Sequence, residues 1–84
     1  MKETLDIKIY STPSCHYCKE AEIFLTSNGF TFKKLDVASN LEDRKEMMDI
    51  SEQRSVPVIT IGKEIYVGFG DIVKNQIKKQ LGIK

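Results

Sequence analysis

Two thiols three positions apart, Cys15 and Cys18 in the run Cys15-His16-Tyr17-Cys18, are the residues of this chain best placed to do chemistry. At that spacing they can form and release a disulfide within one helical turn. Residues 16 to 28 carry Tyr17, Ala21, Phe24 and Leu25 at i, i+4, i+7 and i+8, which predicts an amphipathic helix beginning at the cysteines. Thr12, Pro13 and Ser14 suit a chain that leaves a strand and turns into that helix. Cys15 then stands at the helix's amino-terminal edge, where unpaired backbone N–H groups and the positive end of the dipole favour an anionic sulfur. His16 and Lys19 add positive character. Cys15 is therefore expected to be the attacking thiol and Cys18, one turn inside and shielded by Tyr17 and the sheet, the resolving one.

Other uses of the pair fit less well. A zinc site needs four ligands, and the sequence offers two cysteines and one histidine, all within residues 15 to 18. A purely structural disulfide over so short a loop would constrain little chain entropy. Two thiolates per chain could hold an iron–sulfur cluster or copper only across a dimer, which is the alternative of a different class. His16 reads equally as a residue that tunes the pair's potential and as an ordinary exposed side chain.

The elements that must position the pair follow from the pattern. Asp6 to Tyr10 alternates as a strand that delivers the cysteine loop. Asn28-Gly29 stops the first helix, and Phe30 to Val37 is aromatic and β-branched enough for a second strand, parallel to the first. Such a unit puts the cysteines at the carboxyl ends of the strands, where α/β sites collect. Ser39-Asn40-Leu41-Glu42 has the form of a capping box and predicts a second helix over about Leu41 to Ile50, with Leu41, Met48 and Ile50 inward and Glu42 to Glu46 solvated. Val56 to Ile61 reads as a buried strand entered through Pro57, and Gly62-Lys63 as a hairpin loop leading to Ile65-Tyr66-Val67. Gly68 to Asp71 forms a turn, after which Ile72, Val73, Ile77 and Leu81 mark a third helix ending near Gly82.

The predicted order is β-α-β-α-β-β-α in one domain of 84 residues, residues 1–84, with no repeat or linker. A formal charge of +1 gives no case for nucleic acid or membrane as the main partner. The polar start, Met1 to Asp6, lacks a leader-like apolar run, and no stretch is long enough to span a bilayer. The expected setting is a reducing cytosol, where two close cysteines are more often catalytic than structural.

Together, Tyr10 ending a strand, Thr12-Pro13-Ser14-Cys15-His16-Tyr17-Cys18, Ser55-Val56-Pro57 and the Gly68-Phe69-Gly70-Asp71 turn resemble the glutaredoxin type of the thioredoxin superfamily over essentially the whole chain. The resemblance implies a four-stranded mixed sheet flanked by three helices, a cis bond before Pro57, and reduction of protein disulfides or glutathione mixed disulfides through Cys15. It implies a monomer with no tightly bound cofactor, and glutathione as co-substrate. On that reading Arg54 meets a carboxylate, Val56 offers backbone hydrogen bonds and Asp71 accepts from an ammonium, while Thr12, His16, Tyr17, Pro57 and Gly68 line the same site.

The chain also departs from the glutaredoxin pattern. Thr12 stands where that type often has lysine, His16 where it has proline, and Val67-Gly68 where it has a glycine pair. Gly68-Phe69 and the Thr12-Pro13-Ser14 lead-in resemble redoxins that are reduced by thioredoxin reductase and serve ribonucleotide reductase. Arg54 reads equally as a surface charge, Asp71 as a cap of the third helix, and Phe69 and Tyr17 as either docking residues or core.

Overall fold

The computed structural model describes residues 6–83. Most of the polar Met1–Asp6 start lies outside the described residues. The elements run β1 (Ile7–Ser11), α1 (His16–Ser27), β2 (Lys33–Asp36), α2 (Leu41–Ser51), β3 (Val58–Ile61), β4 (Glu64–Val67) and α3 (Asp71–Leu81). The strands form one sheet in the order β2-β1-β3-β4. β1 and β2 are parallel, whereas β1–β3 and β3–β4 are antiparallel. This is the mixed sheet with three helices that the sequence implies.

Alternation along β1 divides the core between two faces. Ile7 and Ile9 pack with Ala21 and Leu25 of α1, Ile59 and Ile61 of β3, Phe69, and Ile77 of α3. Tyr10 points the other way, into a cluster with Val37, Met47 of α2 and Val58. Each fully buried isoleucine or leucine contributes about 1.5–3 kcal/mol of apolar transfer, which is what holds helices so short against the sheet. Two side-chain bonds tie the layers further. The Tyr10 hydroxyl donates to Glu46 Oε1 at 2.9 Å, linking β1 to α2, and the Tyr66 hydroxyl donates to Gln80 Oε1, linking β4 to α3.

Local chemistry sets the helix ends. After α1, Gly29 adopts φ 81°, and the N–H of Phe30 reaches the Leu25 carbonyl at 2.9 Å, which satisfies a carbonyl otherwise left open. α3 ends the same way, with Gly82 at φ 73° and the Ile83 N–H on the Lys78 carbonyl at 2.9 Å. The two-residue hairpin at Gly62-Lys63 joins β3 to β4, with Gly62 at φ 59°.

Several expectations are corrected. The cap of α2 is Asn40, whose side chain accepts from the Asp43 N–H at 3.0 Å; Ser39 does not fill that position, so the box anchored on it does not form. Leu41 and Ile72 are 76% and 75% exposed, because they lie off the inward faces of their helices, which Met47, Met48 and Ile50 carry in α2 and Val73 and Ile77 in α3. In α1 the inward stripe is Cys18, Ala21 and Leu25; Tyr17 turns outward. β2 is shorter than the Phe30–Val37 run, since Phe30 and Phe32 pack from outside the ladder. It is an outer strand with exposed Lys33 and Lys34, and the opposite outer strand, β4, exposes Ile65 and Val67.

Candidate active site

β1 ends at Ser11, and the next four residues make a tight turn closed by the Cys15 N–H on the Thr12 carbonyl at 3.3 Å. Pro13 and Ser14 are exposed on this turn, and the backbone at Cys15 is extended, with φ −85° and ψ 116°. That conformation makes Cys15 the N-cap of α1, and its Sγ accepts the Cys18 N–H at 3.2 Å. A cysteine sulfur thus does what a serine or aspartate oxygen usually does at a helix start, and a backbone donor points at the atom that would carry charge in a thiolate.

The two thiols, both free, have different surroundings. Cys15 is half-buried and reachable, whereas Cys18 is 1% exposed. Burial, joined by the hydrogen bond and charge of Cys15, pushes the Cys18 thiol up to about 12, against a backbone hydrogen bond with Thr12 that pulls it down. At neutral pH Cys18 therefore keeps its proton. This division, an accessible sulfur facing a backbone donor and a buried protonated one a turn behind it, suits attack followed by resolution.

Strand register gathers the remaining predicted residues at the same end. Tyr10 pairs with Val58, which pairs with Val67, so the carboxyl ends of β1 and β4 and the amino end of β3 coincide. Pro57 is buried after a cis bond from half-buried Val56, and its carbonyl accepts the Gly68 N–H at 2.8 Å. Gly68 has φ 87°, a conformation that disfavours side chains. Thr12 is half-buried in the cysteine turn, and Tyr17 is 54% exposed beside it. His16 is exposed; its Nε2 lies 2.9 Å from Glu20 Oε2, and its ring meets Tyr17 edge-on at 5.7 Å.

Two residues change standing. Gly70 is the N-cap of α3, with no side-chain cap bond, so Asp71 is an exposed first-turn residue and does not cap. There its charge meets the positive end of α3. Phe69 belongs to the core, its ring 5.5 Å from that of Phe24, over which Lys74 Nζ lies at 5.5 Å. Arg54 is exposed in the loop before Val56 and forms no ion pair among the described residues. Sequence reasoning passed over Glu20, whose i+4 spacing from His16 was visible, and Ser11, whose burial was not. Among the described residues no group of three or more histidine, cysteine or acidic side chains converges as a metal site.

Residues 7–66 match the Glutaredoxin family model. The chain belongs to the glutaredoxin family. Members of this family are thiol oxidoreductases, and this one is a redoxin carrying its Cys-x-x-Cys pair at Cys15 and Cys18. Among its relatives is a glutaredoxin-like 8.6 kDa protein of the Clostridium pasteurianum rubredoxin operon, 46% identical over 63 residues that cover 75% of this chain and 84% of the relative. Glutaredoxin 3 of Escherichia coli strain K12 is 33% identical over 67 residues, covering 80% and 81%. The fold is similar to that of the glutaredoxin-like NrdH-redoxin of Escherichia coli, described as having a thioredoxin-like activity profile, with a TM-score of 0.70 and 25% identity over 83% of this chain and 92% of that one.

Proposed function

We infer that this glutaredoxin-family chain is a monomeric dithiol oxidoreductase of a reducing, cytosolic compartment that reduces protein disulfides or glutathione mixed disulfides, with glutathione as its reductant. The observation that carries this reading is the unequal pair: Cys15 Sγ half-buried at the start of α1 with the Cys18 N–H directed at it, and Cys18 buried and protonated behind it. Cys15 attacks the substrate disulfide and becomes joined to one of its sulfurs. Cys18 then displaces that sulfur, leaving the Cys15–Cys18 disulfide for the reductant to open. Glutathione would meet Arg54 and Asp71 with its charged ends and the Val56 backbone with its own, beside Thr12, Tyr17, Pro57 and Gly68.

A second reading has support of its own. The structural likeness to NrdH-redoxin, together with Thr12 and Val67-Gly68 in place of a cation and a glycine pair, favours reduction by thioredoxin reductase and delivery of electrons to ribonucleotide reductase. One experiment separates the two: steady-state reduction of a protein disulfide driven by NADPH, with glutathione plus glutathione reductase in one arm and thioredoxin reductase in the other. Slow but measurable turnover is expected in the glutathione arm, since one lost charge-assisted contact costs about 1.5–3 kcal/mol, roughly ten- to a hundredfold in affinity. No turnover with glutathione and fast turnover with thioredoxin reductase would establish the second reading instead.

A further inference from the structure

Ser11 is the only polar residue in the buried core of the described chain, and its Oγ has no hydrogen-bond partner. A hydroxyl in that position lowers stability, so its presence asks for a reason. Its place in the fold supplies one. Side chains alternate along β1, which puts Ser11 on the same face as Ile7 and Ile9, the face packed by α1. After the tight turn α1 runs back over that face, and its buried positions, read toward its start, are Leu25, Ala21 and Cys18. As β1 climbs from Ile7 through Ile9 to Ser11, the matching rungs of α1 end on Cys18. The turn between them is short: β1 ends at Ser11, the Cys15 N–H closes on the Thr12 carbonyl at 3.3 Å, and α1 begins at His16, so the first turn of α1, with Cys18, stands at the same end of the strand.

We propose that Ser11 is a positioning residue for the resolving step, its unpartnered hydroxyl turning to donate a hydrogen bond to Cys18 Sγ as that sulfur becomes a thiolate. This rests on the disulfide-reductase reading above and deepens it. In the step itself, Cys18 gives up its proton to solvent and its sulfur attacks Cys15 Sγ of the mixed disulfide. The Cys15–substrate S–S bond breaks, the Cys15–Cys18 S–S bond forms, and the substrate sulfur leaves with the electron pair and takes up a proton. The cysteine pair is oxidised by two electrons and the substrate reduced by two. Ser11 keeps its own proton throughout and lowers the cost of uncovering charge in a buried place.

The test is single-turnover reaction of the reduced protein with dithiobis(nitrobenzoate), which releases one coloured thiolate when Cys15 attacks and a second when Cys18 resolves. Ser11→Ala, Ser11→Thr and Ser11→Val are compared with the parent; threonine and valine share a shape and differ in the hydroxyl. The first phase is expected to be alike in all four. The second should slow by about tenfold or more in the alanine and valine proteins, the size of one hydrogen bond to a charged group, and stay within about twofold of the parent in the threonine protein. Ser11→Ala should melt no lower than the parent, since it removes an unsatisfied group. A second phase unchanged in Ser11→Ala, or slowed equally in Ser11→Thr and Ser11→Val, would overturn the proposal, as would a lower melting temperature of Ser11→Ala. A parent protein without a first phase would instead defeat the disulfide-reductase reading.

Discussion

Cys15 and Cys18 stand three positions apart, yet one turn of helix gives the first a backbone donor and access to substrate and gives the second burial. Their serine variants should therefore fail differently. Cys15→Ser is expected to lose all disulfide reduction, whereas Cys18→Ser should still attack oxidised glutathione and stop as a mixed disulfide, visible as an adduct by mass spectrometry. Absence of that adduct would reverse the roles. The buried thiol also links folding to pH. Because the folded state holds the Cys18 proton up to about 12 while an unfolded thiol releases it near 8.5, the contribution is intact below about pH 8.5 and is lost as pH rises toward the folded value. Unfolding titrations under reducing conditions should show about 2 kcal/mol less stability near pH 10 than at neutrality. Cys18→Ala should flatten most of that slope. Tyr10 is shifted in the same direction, by burial and by its bond to Glu46, but its ordinary value of 10.0 leaves it to act at still higher pH. The cysteine spacing was legible because it is local to one helix; the burial of Ser11 was not, since it depends on how α1 crosses β1.

The elements were legible where short-range chemistry decides them. Alternation in Asp6 to Tyr10, glycine after α1 and α3, and the two-residue Gly62-Lys63 loop each specify their structure without distant help. What the pattern could not supply is which neighbour covers an apolar side chain. Leu41 and Ile72 are apolar residues of helical runs, yet they point away from the face that Met47 and Ile50, or Val73 and Ile77, turn toward the core. The start of α2 gives a direct check of the corrected cap. Asn40→Ala removes the acceptor for the Asp43 N–H and should cost about 1 kcal/mol, or roughly 4–8 °C in a domain of this size, while Ser39→Ala should leave the melting temperature nearly unchanged. Equal losses from both would restore the box anchored on Ser39.

At the scale of the molecule, the sheet brings together segments far apart in the chain: the cysteine turn, the Val56-Pro57 entry to β3 and the Gly68 turn before α3. Asp71, exposed at the start of α3, is expected to act in docking a small thiol and not in the exchange itself. If glutathione is the reductant, Asp71→Ala should raise the glutathione concentration needed for half-maximal turnover by about tenfold or more and leave reduction by dithiothreitol unchanged. An unaltered glutathione requirement would remove Asp71 from that site. The two outer strands have another consequence. A sheet margin offers unpaired backbone groups to any chain that passes, and Lys33 and Lys34 guard one margin with charge that an identical strand would have to face. The other margin, with Ile65 and Val67 exposed, has no such repulsion built into its apolar positions. Any self-association in concentrated solution is therefore expected to begin along β4, and Ile65→Lys should reduce it.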